Sequence, residues 1–249
     1  METGIQGLDA VYVLTVKTFT DRIAHIKQEL GRHQIGFEFI FDHDANELQD
    51  ADMAQVFEPG ELGLPHRSLV LKHAQAWKLA LARAQQRILV LEDDVLLAPS
   101  FMDGIAQALA AAEKLDPGYL IFLGGADTKV PDAFFLADGP LFPLPLPTAE
   151  GYLSDAIAMR RRVAWLAEHR VRLPADHLIN QIDRACDIAQ YWLREPIVEQ
   201  GSVFGMFASK LDQHRLKHSP LYNRTRYRWN RFQRRRLRAW LAKLRARFS

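Results

Sequence analysis

Cysteine is almost absent from the 249-residue chain. Cys186 stands alone, which excludes an intramolecular disulfide and any cysteine-cluster metal site. A single thiol in a chain of this length fits a reducing compartment. No run of 18 apolar residues occurs, so no helix is expected to span a membrane. The segment Met1 to Ala10 has no basic stretch leading into an apolar one, so no secretory leader is expected. The glycine-rich phosphate loops G-x-x-x-x-G-K-[ST] and G-x-G-x-x-G are missing, as are H-E-x-x-H and G-x-S-x-G. These absences remove the commonest nucleotide-loop, zinc-protease and serine-hydrolase readings. No repeat of 20–50 residues is present. What remains is an ordinary globular composition, 48% hydrophobic and 25% charged. At about 150 residues per domain it makes one or two domains with a core large enough to hold itself together.

The net charge of +2 conceals a separation. Residues 210–249 hold 14 of the 32 Lys and Arg but one of the 30 acids, Asp212. The tail therefore carries +13 and residues 1–209 carry −11. The sequence divides accordingly into a body, 1–209, and a basic tail, 210–249. The tail is expected to have an anionic partner of its own.

The body alternates short apolar runs with helical spacing. Ala10–Val16, Phe37–Phe41, Ile88–Leu91 and Tyr119–Leu123 read as strands. Between them, Ile23, Ile26 and Leu30 follow a Thr20-Asp21 cap and end near Gly31 or Gly36. Residues 67–86 place Leu69, Val70, His73, Trp77, Ala80, Leu81 and Ala84 on one stripe, and Phe101, Ile105, Leu109 and Ala112 mark a further helix. His73, on that stripe, reads as a packed core histidine, and His66, before it, is more exposed. This rhythm predicts an α/β domain with a mostly parallel sheet and ligands beyond the carboxyl ends of its strands. Residues 130–150 are proline-rich and read as a loop or flap with short extended pieces. Residues 156–170 and 175–190 read as helices, and coil from about 196 to 225 leads to the tail.

The sharpest local signal is Ile88-Leu89-Val90-Leu91-Glu92-Asp93-Asp94-Val95. Three carboxylates at the end of a buried strand raise one another's pKa unless a cation neutralises them. A hard divalent ion held by one or two of them and by substrate phosphates is one resolution. A solvated turn whose acids cap the next helix is the other.

Several further segments fall in an order that resembles glycosyltransferase family 25, the lipopolysaccharide (lipooligosaccharide) transferases related to procollagen galactosyltransferases. They are the opening strand with Thr20-Asp21-Arg22, Phe39-Ile40-Phe41-Asp42-His43-Asp44-Ala45, Gly60-Glu61-Leu62-Gly63, and Leu91-Glu92-Asp93-Asp94-Val95. Later come Ala156–Leu166, Pro174-Ala175-Asp176 and Glu195–Gln200. The resemblance covers about residues 10–205. It departs from the family's pattern at Arg67-Ser68 and at Leu153-Ser154-Asp155-Ala156-Ile157.

The resemblance implies a GT-A-type, Rossmann-like domain. It implies transfer of a hexose, galactose foremost, from a UDP-sugar to a lipopolysaccharide-type glycan, with inversion and a divalent ion, commonly Mn2+. Glu92, Asp93 and Asp94 are the candidate metal site, with Asp94 first for direct coordination and Glu92 next. Asp21, Arg22, Asp42, His43, Asp44 and Glu61 are candidates for the donor pocket, because most lie just past strand ends. Inversion needs one base near the acceptor hydroxyl. Asp155 and Asp176 are the candidates, with helix capping as the competing role for each. A non-catalytic GT-A-like binding or scaffold protein at the membrane is the alternative, motivated by the departures. Nucleic acid is not an expected partner, because the acidic body would repel it and no nucleic-acid motif is present.

Residues 227–248 contain no Pro or Gly and are expected to be helical. Leu237, Leu241, Leu244 and Phe248, joined by Trp229, Phe232 and Trp240, share one half of the helix, and most of the arginines lie on the other. That pattern fits an interfacial helix on an anionic membrane. It would make the protein cytoplasmic and peripheral on the inner face of the plasma (inner) membrane, near a glycolipid acceptor. Folding back onto the acidic body is the competing arrangement.

Overall fold

A computed structural model describes residues 3–125, 130–145, 148–201, 206–207, 225, 229 and 232–247. The strands are β1 (Ala10–Leu14), β2 (Glu38–Ile40), β3 (Arg87–Glu92), β4 (Val95–Leu97), β5 (Tyr119–Phe122), β6 (Leu141–Pro143), β7 (Gly151–Asp155), β8 (Ala189–Leu193) and β9 (Val198–Gln200). Seven of them form one sheet in the order β2-β1-β3-β7-β5-β8-β6, and β4 pairs with β9 in a second, small sheet. In the large sheet β2, β1 and β3 are mutually parallel, as are β5 and β8, while β7 and β6 run antiparallel to their neighbours. The expected α/β domain with a mostly parallel sheet is therefore present.

The central strands are apolar because helices cover both sheet faces. Their side chains alternate between two cores with the period of two that a strand imposes. Val11, Val13, Leu89, Leu91, Tyr119 and Ile121 pack on one side with Ile26, Leu30, Ile105 and Leu109. These four come from α1 (Thr20–Arg32) and α4 (Phe101–Ala112). Tyr12, Leu14, Ile88, Val90, Leu120 and Phe122 pack on the other side with Ala76, Trp77, Ala80 and Met159, from α3 (Leu64–Ala82) and α6 (Ala156–Glu168). A smaller core joins Met53 of α2 (Asp50–Val56) to Val70 and to Leu178 and Ile182 of α7 (Ala175–Ala185).

One charged pair lies inside the second core. Arg162 on α6 is 0% exposed and donates through Nε (2.6 Å) and Nη2 (2.8 Å) to the two oxygens of Asp183, and through Nη1 to Ser154 Oγ (2.8 Å). Gln190 also donates to Asp183 (2.8 Å), and the Arg162 guanidinium lies over the Trp77 ring. Trp77 in turn donates to the Tyr152 hydroxyl (3.0 Å), which is 2.9 Å from Nδ1 of the fully buried His73. Burial first, then the nearby Arg162 charge, pushes the His73 pKa down to about 3. His73 is thus the packed histidine that its helix stripe implies.

Several expected elements differ. The helix expected over 175–190 stops at Ala185, because Cys186 caps it and Asp187 takes a left-handed φ of 51°. Ala189–Leu193 then becomes β8, parallel to β5. The proline-rich segment holds a short helix, α5 (Asp132–Leu136), and β6. In the tail, Phe232–Leu237 forms a π-helical turn that runs into α8 (Arg238–Arg247), while most of 208–231, including the 209/210 boundary, lies outside the described residues. Helix α8 folds back onto the body. Ala242 is 1% exposed within the second core, and Arg245 (2.7 Å) and Arg238 (3.9 Å) pair with Asp132 of α5.

Candidate active site

A cleft of about 580 Å³ opens at the carboxyl ends of β1 and β3. Its walls come from five stretches far apart in sequence. These are the β1–α1 connection with Thr15, Phe19 and Arg22, and Ala45-Asn46 after β2. The start of α3 adds His66, Ser68 and Lys72, and the acidic turn adds Glu92, Asp93 and Asp94. The start of α7 adds Asp176 and His177, with Thr148, Ala149 and Gln200 closing the rim.

The acidic turn is the chemical centre. Strand β3 ends at Glu92 and β4 begins at Val95, so Asp93-Asp94 make the reversal between the two sheets. The two aspartates are treated differently. Asp93 is held on both oxygens, by Thr15 Oγ1 (2.7 Å) and by Arg22 Nη1 (2.9 Å). Arg22 is itself backed by the faces of Phe19 and Phe207. Burial raises the Asp93 pKa against the opposing pull of Arg22 and Thr15. Asp94 is 3% exposed, its Oδ1 is buried without a hydrogen-bond partner, and its Oδ2 lies 4.0 Å from Arg22. Its backbone is fixed from behind. Gly201 donates to the Asp94 carbonyl (2.7 Å), and a Cβ on Gly201 would stand 2.6 Å from that oxygen, so only glycine fits there.

Glu92 adds to the unbalanced charge. Burial, followed by the charges of Asp94, Glu150 and Asp93, holds its carboxyl well above the usual carboxylate range, with Arg22 pulling the other way. Glu150 is the neighbour that the sequence did not disclose. It is 6% exposed, accepts from Gly125 N (2.7 Å), and occupies the space that a Cβ on Gly124 would need, 2.1 Å from Oε1. Gly124-Gly125 after β5 was therefore a usable signal, because a bare backbone there admits a buried carboxylate.

Among the described residues no three His, Cys, Asp or Glu side chains converge as a group able to hold a metal ion. The donor set still fits a hard cation held in part by the protein. One orphaned carboxylate oxygen stands in a cavity wall, beside a second carboxylate that burial and like charge destabilise. The remaining positions are open to phosphate oxygens and water, as such ions usually accept.

The donor-pocket candidates separate. Arg22 lines the cleft, whereas Asp21, Asp42, His43, Asp44 and Glu61 do not. Asp21, Asp42 and Glu61 are exposed. Asp44 is structural, since its carboxylate binds Lys72 Nζ (2.7 Å) and Lys17 N (2.9 Å). Lys72 also donates to the carbonyls of Phe41 and Asp42, and Ser68 Oγ donates to the carbonyl of His43, whose φ is 66°. These bonds shape a loop that presents Ala45 and Asn46, rather than His43, to the cleft.

The two base candidates also separate. Asp155 pairs in register with Arg87, the first residue of β3. It therefore sits roughly 16 Å along the strand from Glu92, at the opposite edge of the sheet. Its carboxylate accepts from Gly118 N, Tyr119 N and Ala158 N, so it caps α6 and fastens β5 and does not face the cleft. Asp176 lines the cleft from the first turn of α7, and its Oδ1 accepts from His177 N (2.9 Å).

The two departures from the family pattern have structural explanations. Arg67 donates to the Leu62 carbonyl (2.8 Å) and lies over Phe57, pinning the Gly60–Gly63 loop. Ser154 and Asp155 serve Arg162 and the α6 cap.

The family model described as "Glycosyltransferase family 25 (LPS biosynthesis protein)" matches residues 8–124, the stretch that contains β1 to β5, Arg22 and the acidic turn. A 111-residue stretch is 34% identical to the lacto-N-neotetraose biosynthesis glycosyltransferase LgtB of Neisseria meningitidis serogroup B (strain ATCC BAA-335 / MC58), covering 43% of this chain and 40% of that protein. Another, of 129 residues, is 26% identical to a glycosyltransferase 25 family member of Aedes aegypti and covers 47% and 21% of the two chains. The match thus spans less than half the length of these curated relatives. Among solved structures, a glycosyltransferase involved in glycosylating the major capsid of PBCV-1 aligns over 89% of this chain and 100% of its own, with 9% identity and a TM-score of 0.45. Over residues 8–124 the chain is therefore similar to glycosyltransferase family 25.

Proposed function

We propose that the protein is a GT-A-type glycosyltransferase. On this reading it moves a hexose, galactose foremost, from a UDP-sugar to a lipopolysaccharide-type glycan, with inversion at the anomeric carbon and a divalent cation, Mn2+ first. One observation carries the reading. Asp94 offers a buried carboxylate oxygen, without a hydrogen-bond partner among the described residues, to the cleft, in an acidic turn where Arg22, the close counter-charge among the described residues, is already committed to Asp93. An excess of buried negative charge is costly for a fold, and a cation with a diphosphate is the ligand pair that relieves it.

Asp94, with Glu92 close by, would hold the cation, which supplies Lewis-acid stabilisation of the departing diphosphate. Arg22 and Thr15 fix Asp93, and through it the geometry of the turn. Arg22 adds positive charge beside the phosphates. Asn46 and the walls made by Leu14, Val16 and Phe19 suit the nucleoside. Asp176, which also lines the cleft, would accept the proton of the attacking acceptor hydroxyl. The acceptor oxygen forms its bond to the anomeric carbon on the face opposite the bond to the diphosphate. UDP leaves with the bonding electron pair, and the proton passes to the Asp176 carboxylate. The tail would keep the enzyme peripheral on the cytoplasmic face of the plasma (inner) membrane.

A UDP-release assay on the purified protein tests the reading. UDP-hexose and a truncated lipopolysaccharide glycan should give UDP and an extended glycan with Mn2+ and not with a chelator. Turnover unaffected by chelation would remove the metal role, and no donor consumption with any of a panel of UDP-sugars would remove the transferase.

A further inference from the structure

Helix α8 divides into two faces that the sequence pattern alone does not distinguish. The face turned to the body is small and ion-paired, with Ala239 and Ala242 packed in the second core and Arg238 and Arg245 on Asp132. The bulky residues point the other way. Leu237 is 42%, Trp240 60% and Leu244 37% exposed. At about 100° per residue these three fall within a sector of roughly 60° on the side opposite Ala242. Arg236 and Lys243, both exposed, border that sector along one side. Docking on the body, which competed with membrane contact at the level of sequence, therefore leaves the membrane-type face uncovered.

The place of docking adds to this. Helix α5, on which α8 rests, lies in the connection that leaves the carboxyl end of β5 and re-enters the sheet at Leu141, paired with Leu193 at the carboxyl end of β8. The cleft occupies the same end of the sheet. Leu136, the last residue of α5, is itself 48% exposed.

We infer that Leu237, Trp240 and Leu244, bordered on one side by Arg236 and Lys243 on a helix locked to the body through Asp132, form a docking surface for an anionic lipid bilayer. It would hold the cleft end of the sheet toward the membrane. The choice of occupant follows from charge. A symmetric pairing of two such faces would oppose like charge, since the tail bears +13, and a nucleic acid backbone would not bury the exposed Leu237, Trp240 and Leu244. A bilayer with acidic headgroups accepts the basic border at its surface and the Trp and Leu side chains at the acyl boundary. This rests on the proposed glycosyl transfer only for its purpose, the capture of a lipid-linked acceptor.

The test is co-sedimentation of the full chain with vesicles of phosphatidylglycerol and phosphatidylcholine, and with vesicles of phosphatidylcholine alone. Binding should occur to the first, not to the second, and weaken with added salt. The double variant Trp240→Glu, Leu244→Glu should bind at least 10-fold more weakly, with an unchanged unfolding midpoint and unchanged donor hydrolysis without vesicles. If that variant perturbs folding, Leu237→Ser with Trp240→Ser provides the same reading without added charge. Equal sedimentation of wild type and variants, equal binding to both vesicles, or a dimer in solution that the double variant dissolves would overturn the proposal. Donor hydrolysis reports on the transferase reading separately, so either can fail alone.

Discussion

Two buried clusters of charge lie close enough to Tyr152 for both to act on its hydroxyl, and they are built to opposite rules. In one, Arg162 meets Asp183 through two hydrogen bonds, and Ser154 and Gln190 occupy further positions on the pair. In the other, Glu92, Asp93, Asp94 and Glu150 lie together near Arg22, and among the described residues one oxygen of Asp94 has no hydrogen-bond partner. The first spends its polar groups on one another and specifies how α6 and α7 pack. The second leaves bonding capacity open toward a cavity. Strain of that kind is retained where a ligand relieves it. The contrast separates a structural ion pair from a binding site better than burial does, since both are buried.

The sharpest way to break the comparison is to neutralise one member of each cluster. Asp94→Asn should reduce metal-dependent transfer by about 100-fold or more, which corresponds to about 2.7 kcal/mol of transition-state stabilisation, while the unfolding midpoint holds or rises because a like charge is gone. Steady-state rates and a thermal scan of the same sample check both halves. Asp183→Ala should do the reverse. Arg162 would be left buried and unpaired, at a cost of about 3–5 kcal/mol, and thermal unfolding would fall by roughly 6–20 °C for a chain of this length. Comparable loss of activity per folded molecule in both variants would erase the distinction.

His73 sharpens the structural side. Its folded pKa, about 3, lies below the ordinary 6.5, so the unfolded chain takes up a proton that the fold refuses. The stability it contributes is present above pH 6.5 and is lost as pH falls toward 3, with a slope of up to about 1.4 kcal/mol per pH unit. His73→Gln should flatten that limb of the stability profile.

A last pair of variants, of which Asp155→Ala has the smallest expected effect on rate, separates the two base candidates. Asp155→Ala should cost about 1–2 kcal/mol through the lost α6 cap and leave kcat within about twofold. Asp176→Asn should leave stability unchanged and lower kcat by about 100-fold or more. A large drop in kcat for Asp155→Ala at full folding would return the base to the far edge of the sheet.

The sequence disclosed those parts whose cause is local. Strands β1, β3 and β5 were legible because burial on both faces makes them continuous apolar runs, and the acidic turn was legible because its charges are adjacent. Strands β7 and β8 were not, β6 was legible only as short extended pieces, and β9 only through the resemblance at Glu195–Gln200. They are three to five residues long, carry polar side chains such as Gln190 and Glu199, and owe their existence to partners up to about a hundred positions away. The same non-locality hid Glu150, Asn46, Lys72 and Gln200, which reach the cleft or the acidic turn only through the sheet order. Asp42, Asp44 and Glu61 were drawn from position after strands or within a glycine-bounded loop. That position is where ligands bind, but it does not say which way a side chain turns. Asp155 stood at a strand end too, yet β7 runs antiparallel, and its carboxyl end is the wrong edge.

The acidic turn is proposed to be a cation-dependent diphosphate site. Calorimetric titration of UDP into the wild-type protein and Asp94→Asn, each with Mn2+ and with chelator, tests it most directly. UDP should bind the wild type with Mn2+ and bind at least 10-fold more weakly in the other three cells. Equal UDP affinity with and without Mn2+, or in Asp94→Asn and wild type, would contradict it.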